Sequence, residues 1–241
     1  MHKVSPLPPS SPPRPLTSRA PRVALVLGGL ATLLLVLVAA RWSPLLDVDE
    51  QIARTTHDWA VADPGLTHAN RILTDWAWDP WTMRAVLTVV VGWLLWRRDG
   101  WFAAWLAVPC ALGTLLQQAL KAGVGRERPR WPDPVDSANY SAFPSGHAMT
   151  ATVVCGLLLW TLYRYGVRLS LWRVALVVAA VSVLGVGFTR IWLGVHWPSD
   201  VVEGWLLGGL TVSVAVLSYE RFRGPSRLPD ADRTGPLRGR P

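Results

Sequence analysis

The sequence is poor in charged residues, in cysteine and in lysine. Only 17% of its 241 residues are charged, whereas a soluble domain carries about 25%. The two cysteines, Cys110 and Cys155, lie inside apolar runs, which excludes a disulfide scaffold. Hydrophobic residues make up 51% of the chain, and the mean hydropathy is +0.27. Apolar surface this abundant has to be buried, so disorder over most of the chain is excluded as well.

The positive charge does not indicate a nucleic-acid-binding protein. The net charge is +8, but the arginines stand at the ends of apolar runs and are not gathered on one helix face. This layout is typical of membrane proteins, whose cytoplasmic loops collect basic residues. Several of the 15 tryptophans also stand at the ends of these runs, as in an interfacial aromatic belt. We therefore interpret the chain as a membrane protein that does not bind nucleic acid.

The fold class follows from six apolar runs. They predict an all-α, polytopic membrane protein with six transmembrane helices and a helical-bundle catalytic core. The first run is interpreted as an uncleaved anchor and not as a signal peptide, because it is long and follows a long tail. The predicted domain lies at 23–220, between a disordered tail at 1–22 and a basic tail at 221–241. The runs are 23–40, 82–96, 101–120, 147–163, 171–189 and 201–219.

The segment 41–84 is acid-rich and differs from the rest. Its apolar residues recur at helical spacing on both sides of a break at Asp63-Pro64-Gly65, which predicts two amphipathic helices near the membrane surface. We leave open whether this segment forms part of a headgroup or acyl-chain entrance or a structural belt.

The basic residues also predict an orientation in the plasma (inner) membrane. With both termini in the cytoplasm, six crossings place Arg97-Arg98 and the turn containing Arg164 inside, and segment 41–84 outside. One basic stretch breaks this rule by falling on the extracytoplasmic side, and we attribute it to an anionic ligand. Its members are Lys121, Arg126, Arg128 and Arg130.

Three segments predicted to lie on that same outer side hold the candidate phosphate-binding residues. Lys121, Arg128 and Arg190 supply positive charge, and arginine forks suit phosphate oxygens; the alternative is that such residues anchor the helix ends at the lipid surface. Ser145 and Gly146 open a helix, so Ser145 is either a simple N-cap or, with the Gly146 backbone, part of an anion site.

Two histidines and an aspartate are the candidate catalytic residues. His147 would protonate a leaving oxygen. Asp200 either caps the last helix in a capping box with Glu203 or fixes one ring nitrogen of His196 and leaves the other free as a nucleophile. A zinc site is the competing interpretation. The neighbouring cations disfavour it, so no metal and no cofactor are predicted.

These segments resemble the signature of the type 2 phosphatidic acid phosphatase superfamily, K-x6-R-P, P-S-G-H and S-R-x5-H-x3-D. Residues 121–129 match the first part, 144–147 the second and 189–200 the third, with Thr189 in the place of the usual serine. The resemblance covers about residues 100–220.

The resemblance implies a metal-independent, integral-membrane phosphatase for lipid phosphate mono- or diphosphate esters. It implies that His196, oriented by Asp200, forms a phosphohistidine and that His147 is the general acid, while the phosphate is held by Lys121, Arg128, Ser145, Gly146 and Arg190. Phosphatidic acid, phosphatidylglycerol phosphate and a polyprenyl diphosphate remain open as substrates. The alternatives are transfer to an acceptor alcohol and a noncatalytic protein that binds or moves anionic lipid. The oligomeric state is left open.

Overall fold

The computed structural model describes residues 20–223, and every regular element in that range is helical. Six of the helices in that range form the bundle, and the other two cover one end of it together with a π-helical turn. The elements are α1 (Ala20–Ala39), α2 (Ser43–Ala62), α3 (Pro64–Ile72), a π-helical turn (Leu73–Ala77), α4 (Pro80–Trp96), α5 (Gly100–Val124), α6 (Gly146–Arg164), α7 (Leu169–Trp192) and α8 (Pro198–Arg223).

The predicted tails lie largely outside the described residues. Their inner ends do not: α1 begins three residues before position 23, and α8 continues to Arg223. The helices therefore extend a few residues beyond 23 and 220, and the domain limits stay predictions. Helical backbone continues there because hydrogen bonding within a helix does not require the apolar composition that defined the runs.

Local sequence sets the helix ends close to the site. Asp79 caps α4 by accepting hydrogen bonds from the backbone N–H groups of Trp81 (2.7 Å) and Thr82 (3.1 Å). Helix α5 ends at Gly125, whose φ of +60° favours glycine and whose N–H donates to the Lys121 carbonyl at 3.1 Å. The chain then leaves the helix axis and passes over the end of the bundle.

Five helices in residues 20–223 are long and apolar enough to cross a membrane: α1, α5, α6, α7 and α8. The run predicted as the second span forms α4, which has 17 residues and is about 26 Å long, near the lower limit for a span. Multi-pass membrane architecture is confirmed, and the sixth crossing stays a prediction.

Helices α6 and α8 form the centre of the bundle, with α1 on α8 and α7 on α6. Glycines in α8 allow this approach, since a Cβ on Gly204 would lie 2.7 Å from the Ser145 carbonyl oxygen and one on Gly208 2.6 Å from Thr152 Cβ. Outward-facing apolar side chains on α7, such as Val177, are exposed. Such a surface is suited to lipid.

Segment 41–84 contains the two predicted helices, α2 and α3, separated at Asp63. Their large apolar residues are mostly exposed, as Ile52 and Trp59 are, and so is Trp76 of the π-helical turn. The buried face holds two alanines, Ala53 and Ala60, and is otherwise polar. Its polar members are Asp49, Thr56, His57, Thr67, Asn70 and Thr74. The helices therefore cover the bundle end with their polar side.

Candidate active site

Successive helices from α4 to α8 run in opposite directions. The starts of α4, α6 and α8 and the ends of α5 and α7 therefore lie at the same end of the bundle, around one cavity of about 460 Å³. Six of the eight predicted site residues line it. They are Lys121, Arg128, Gly146, His147, Arg190 and His196. Ser145 and Asp200 lie buried behind this wall, joined by a hydrogen bond from the Ser145 N–H to the Asp200 carbonyl at 2.9 Å.

The first segment places two cations at the cavity. Lys121 is buried in the last turns of α5, and its Nζ donates to the Ser141 carbonyl of the loop that crosses the site. Arg128 donates from Nε to the Tyr140 carbonyl at 2.9 Å and from Nη2 to the Asn139 carbonyl at 3.1 Å. Backbone carbonyls thus hold both side chains without neutralising their charge.

The sequence analysis attributed the whole basic stretch to an anionic ligand. Two of its arginines form ion pairs with carboxylates instead. Arg126 forms ion pairs with Asp49 (2.8 Å) and Asp200 (2.7 Å). Arg130 pairs with Glu127 at 3.2 Å in an exposed position. The attribution of these two arginines to an anionic ligand was wrong, because carboxylates distant in sequence or on the loop itself balance their charge.

The second segment begins α6. Ser145 has the extended backbone of an N-cap, yet its hydroxyl makes no capping hydrogen bond and has no partner among residues 20–223. A Cβ on Gly146 would lie 2.5 Å from Gln117 Nε2, so a larger residue there would disturb the cavity wall. The free hydroxyl and the first N–H groups of α6 form an environment suited to an oxyanion.

The third segment holds His196 between two groups. Asp200 Oδ2 lies 3.3 Å from Nδ1 of His196, and Arg128 Nη1 lies 3.1 Å from Nε2. A guanidinium only donates, so Nε2 has to be the accepting nitrogen and Nδ1 the protonated one. This tautomer leaves a lone pair on Nε2, directed into the cavity.

The electrostatic surroundings keep that ring neutral. Burial and the charges of Arg128 and Arg190 lower the pKa of His196 well below its ordinary value. Burial also lowers the pKa of Arg128. A neutral imidazole whose Nε2 carries no proton can act as a nucleophile at neutral pH once its contact with Arg128 gives way to a substrate.

Asp200 also serves the start of α8. Its Oδ2 accepts a hydrogen bond from the N–H of Trp197, the residue just before α8, at 2.9 Å. In a capping box this bond is made by the third residue of the helix, which here is Asp200. Glu203, expected as the partner in that box, is buried with neither carboxylate oxygen partnered in the described residues. Asp200 therefore both caps the start of α8 and faces His196, but the expected capping box with Glu203 is not formed.

Arg190 approaches the cavity from the end of α7. It is 4% exposed, and its Nη1 donates to Thr74 Oγ1 at 3.3 Å. Thr189 bonds the Val186 carbonyl at 2.9 Å and lies 3.4 Å from the same Thr74 oxygen. Thr189 therefore supports the fold beside Arg190 and does not line the cavity.

Sequence reasoning missed residues that the early helices bring to the site. Thr74 contacts Arg190, and Arg84 lines the cavity while its Nη2 reaches Thr150 Oγ1 at 3.3 Å. Asp49 reaches Arg126 and Ser199. One signal could have found Asp49 and Thr74: both are polar residues on the buried side of the amphipathic segment 41–84, Asp49 in α2 and Thr74 in the π-helical turn.

Within the described part of the chain, no three His, Cys, Asp or Glu side chains lie close enough together to hold a metal ion. The cations beside His147 and His196 would repel a divalent metal ion, which disfavours a zinc site at these two histidines. The cavity wall is suited instead to a group with several negative oxygens.

Residues 102–223 match the model of the PAP2 superfamily. The chain is 26% identical over 176 residues to phosphatidylglycerophosphatase B of Bacillus subtilis, covering 73% of this chain and 85% of that one. It is 29% identical over 130 residues to lipid A 1-phosphatase of Rhizobium etli, about half of each chain. It is 38% identical over 77 residues to undecaprenyl-diphosphatase of Sulfolobus acidocaldarius, about a third of each.

The fold also resembles a solved structure. The crystal structure of a transmembrane PAP2 type phosphatidylglycerolphosphate phosphatase from Bacillus subtilis superposes with a TM-score of 0.71 at 23% identity. The match covers 80% of this chain and 94% of that one. This likeness extends beyond the matched family segment to part of the N-terminal helices.

Proposed function

The chain belongs to the PAP2 superfamily, and we propose that it is an integral-membrane phosphatase that hydrolyses lipid phosphate mono- or diphosphate esters through a phosphohistidine. The observation that carries this proposal is the His196 environment. One nitrogen is directed at Asp200, and the other, with its lone pair, is directed at a cation-lined cavity. The names of the relatives, all lipid phosphatases, support the substrate class.

The proposed first step is attack of His196 Nε2 on phosphorus. The N–P bond forms while the bond from phosphorus to the leaving oxygen breaks, and that oxygen takes its electron pair and a proton from His147. Lys121, Arg128 and Arg190 neutralise the phosphoryl oxygens, so fixed cations stabilise the charge of the transition state. Arg128, which contacts Nε2, would turn its N–H groups to the phosphate.

The proposed second step returns the enzyme to its starting state. Water attacks phosphorus as His147 takes one of its protons, the N–P bond breaks, and its electron pair returns to Nε2. The second step releases inorganic phosphate. The other product, released after the first step, is the lipid alcohol or, from a diphosphate, the lipid monophosphate. We include metal independence in the proposal because the side chains around the cavity already supply the positive charge.

The membrane side of the site is also part of the proposal. At the opposite end of the bundle, Arg164 lies 3.7 Å from Asp99, next to Arg97 and Arg98. This second basic cluster is the one expected at the cytoplasmic surface. It supports an extracytoplasmic active site and cytoplasmic termini in the plasma membrane.

The test is phosphate release by detergent-purified protein in EDTA. Phosphatidic acid, phosphatidylglycerol phosphate and a polyprenyl diphosphate are the substrates, with His196→Ala and, as matched control, His68→Ala, an exposed histidine of α3. We expect release that vanishes only in His196→Ala. Activity restored only by a metal would overturn the metal-free mechanism. A phosphorylated alcohol formed in place of free phosphate would support the transferase.

A further inference from the structure

A buried chain of charges links helix α2 to the proposed nucleophile. Asp49 Oδ2 lies 2.8 Å from Arg126 Nη2, and Arg126 Nη1 lies 2.7 Å from Asp200 Oδ1. The other oxygen of Asp200 faces His196. Asp49 and Asp200 are 1% and 0% exposed, so solvent does not screen these contacts.

The chain has a fixed geometry because each oxygen has its own donor. Asp49 Oδ1 accepts the Ser199 N–H at 2.8 Å, and Arg126 Nη1 also donates to Ser199 Oγ at 2.7 Å. Ser199 Oγ in turn donates to Asp49 Oδ2. The backbone next to Asp200 is thereby tied to α2 as well as to the arginine.

A second contact holds α2 against the same loops. His57 of α2 stacks on Trp131 with ring centroids 4.3 Å apart, and Trp131 Nε1 donates to the Gly194 carbonyl at 2.9 Å. Gly194 is two residues before His196. Helix α2 therefore supports the nucleophile from two sides.

The charge balance explains why an arginine needs two carboxylates here. Arg126 alone with Asp200 would form a neutral pair and draw negative charge away from His196. With Asp49 sharing Arg126, the three groups keep one net negative charge beside the ring. That charge stabilises the positive imidazolium that forms when Nε2 bonds to phosphorus.

We propose that Asp49 and Arg126 are positioning residues for the reaction, and that α2, which lies outside the matched family segment, is a working part of the active site. This rests on the proposed function. Asp49 and Arg126 do not touch the phosphate; they act through Asp200, by fixing its orientation and preserving its charge. In metal sites, outer groups that orient the ligands change activity about 10- to 100-fold, and we expect an effect of that order here.

The test replaces the carboxylate without changing its shape. Asp49→Asn keeps an acceptor oxygen for Ser199 but removes the charge, and Asp47→Asn makes the same change at an exposed position of α2. We expect kcat to fall by about tenfold or more in Asp49→Asn with KM within twofold, and no change in Asp47→Asn. An unchanged kcat in Asp49→Asn, or a loss confined to KM, would overturn the proposal.

A double-mutant cycle asks whether Asp49 acts through the arginine. In the Arg126→Gln background, Asp49→Asn should cause little further loss of kcat, since the link is already broken. Multiplying losses would contradict the proposal. Should Asp49→Asn not fold, Arg126→Lys tests the same link, because a lysine has no fork to join two carboxylates. A wild-type kcat in Arg126→Lys would overturn it.

A spectroscopic readout separates this proposal from the proposed function. NMR of isotope-labelled histidine, with His196→Gln for assignment, reports the ring tautomer without any substrate. We expect protonated Nδ1 in the wild type and a mixture of tautomers in Asp49→Asn. An unaltered tautomer together with unaltered kcat would overturn the positioning role, whereas failure of the wild type to release phosphate would count against the proposed function only.

Discussion

Gly204→Ala tests whether the approach of α8 to α6 builds the site. The added Cβ would lie 2.7 Å from the Ser145 carbonyl oxygen, 3.0 Å from Ala148 Cβ and 3.0 Å from the Met149 backbone nitrogen. Ordinary contact starts at 3.4 Å, so the helices would have to separate by about 0.7 Å. No side-chain rotation relieves a clash with backbone atoms.

The separation would occur where the second and third segments meet. The Ser145 N–H to Asp200 carbonyl hydrogen bond, 2.9 Å long, crosses this contact. Overpacking of this kind costs about 1–3 kcal/mol of stability, and a displacement near 1 Å in an active site lowers rates by about 100-fold. We therefore expect Gly204→Ala to lose about one to two orders of magnitude in kcat/KM together with several degrees in Tm.

The assay is phosphate release by purified protein alongside thermal unfolding in the same detergent. Gly29→Ala is the matched control, because a Cβ at this helical position meets nothing within 4 Å. Alanine favours a helix over glycine by about 1 kcal/mol, so the control should be fully active and no less stable. A Gly204→Ala protein with wild-type activity and Tm would refute the reasoning.

Two further predictions concern His196, the proposed nucleophile, and the groups around it. Because the pKa of His196 is lowered in the folded protein, the unfolded chain binds more protons below the ordinary pKa of 6.5. The free energy of unfolding should therefore fall as pH drops from about 6.5 towards the folded-state pKa, and this loss, followed as Tm against pH, should be smaller in His196→Gln. Thr74→Val removes the acceptor of Arg190, so we expect about a tenfold lower kcat/KM, whereas Thr74→Ser should keep the wild-type value in the same assay.

The helices and the gathering of the three segments could be predicted from sequence because both depend on local patterns. Apolar runs long enough to cross a bilayer appear directly in the chain. The number of predicted crossings between the segments places Lys121, Ser145 and His196 at the same end of the bundle.

The carboxylates that support the site could not be predicted in the same way. Asp49 is 77 residues from Arg126 and 150 from Ser199, and no local pattern encodes such pairing. The motif singles out Arg128, which lines the cavity, but nothing local in the sequence shows that Arg126 faces buried carboxylates. The path of the loop after Gly125 decides that direction.

The most direct test of the account is to trap the intermediate on the protein. A lipid phosphate carrying radioactive phosphorus at the reacting position is mixed with the wild-type enzyme in EDTA, the reaction is stopped in denaturant, and the labelled peptide is identified. We predict acid-labile, alkali-stable label on His196, with none in His196→Ala. Turnover without label on any histidine, or label on another residue, would contradict the proposed mechanism.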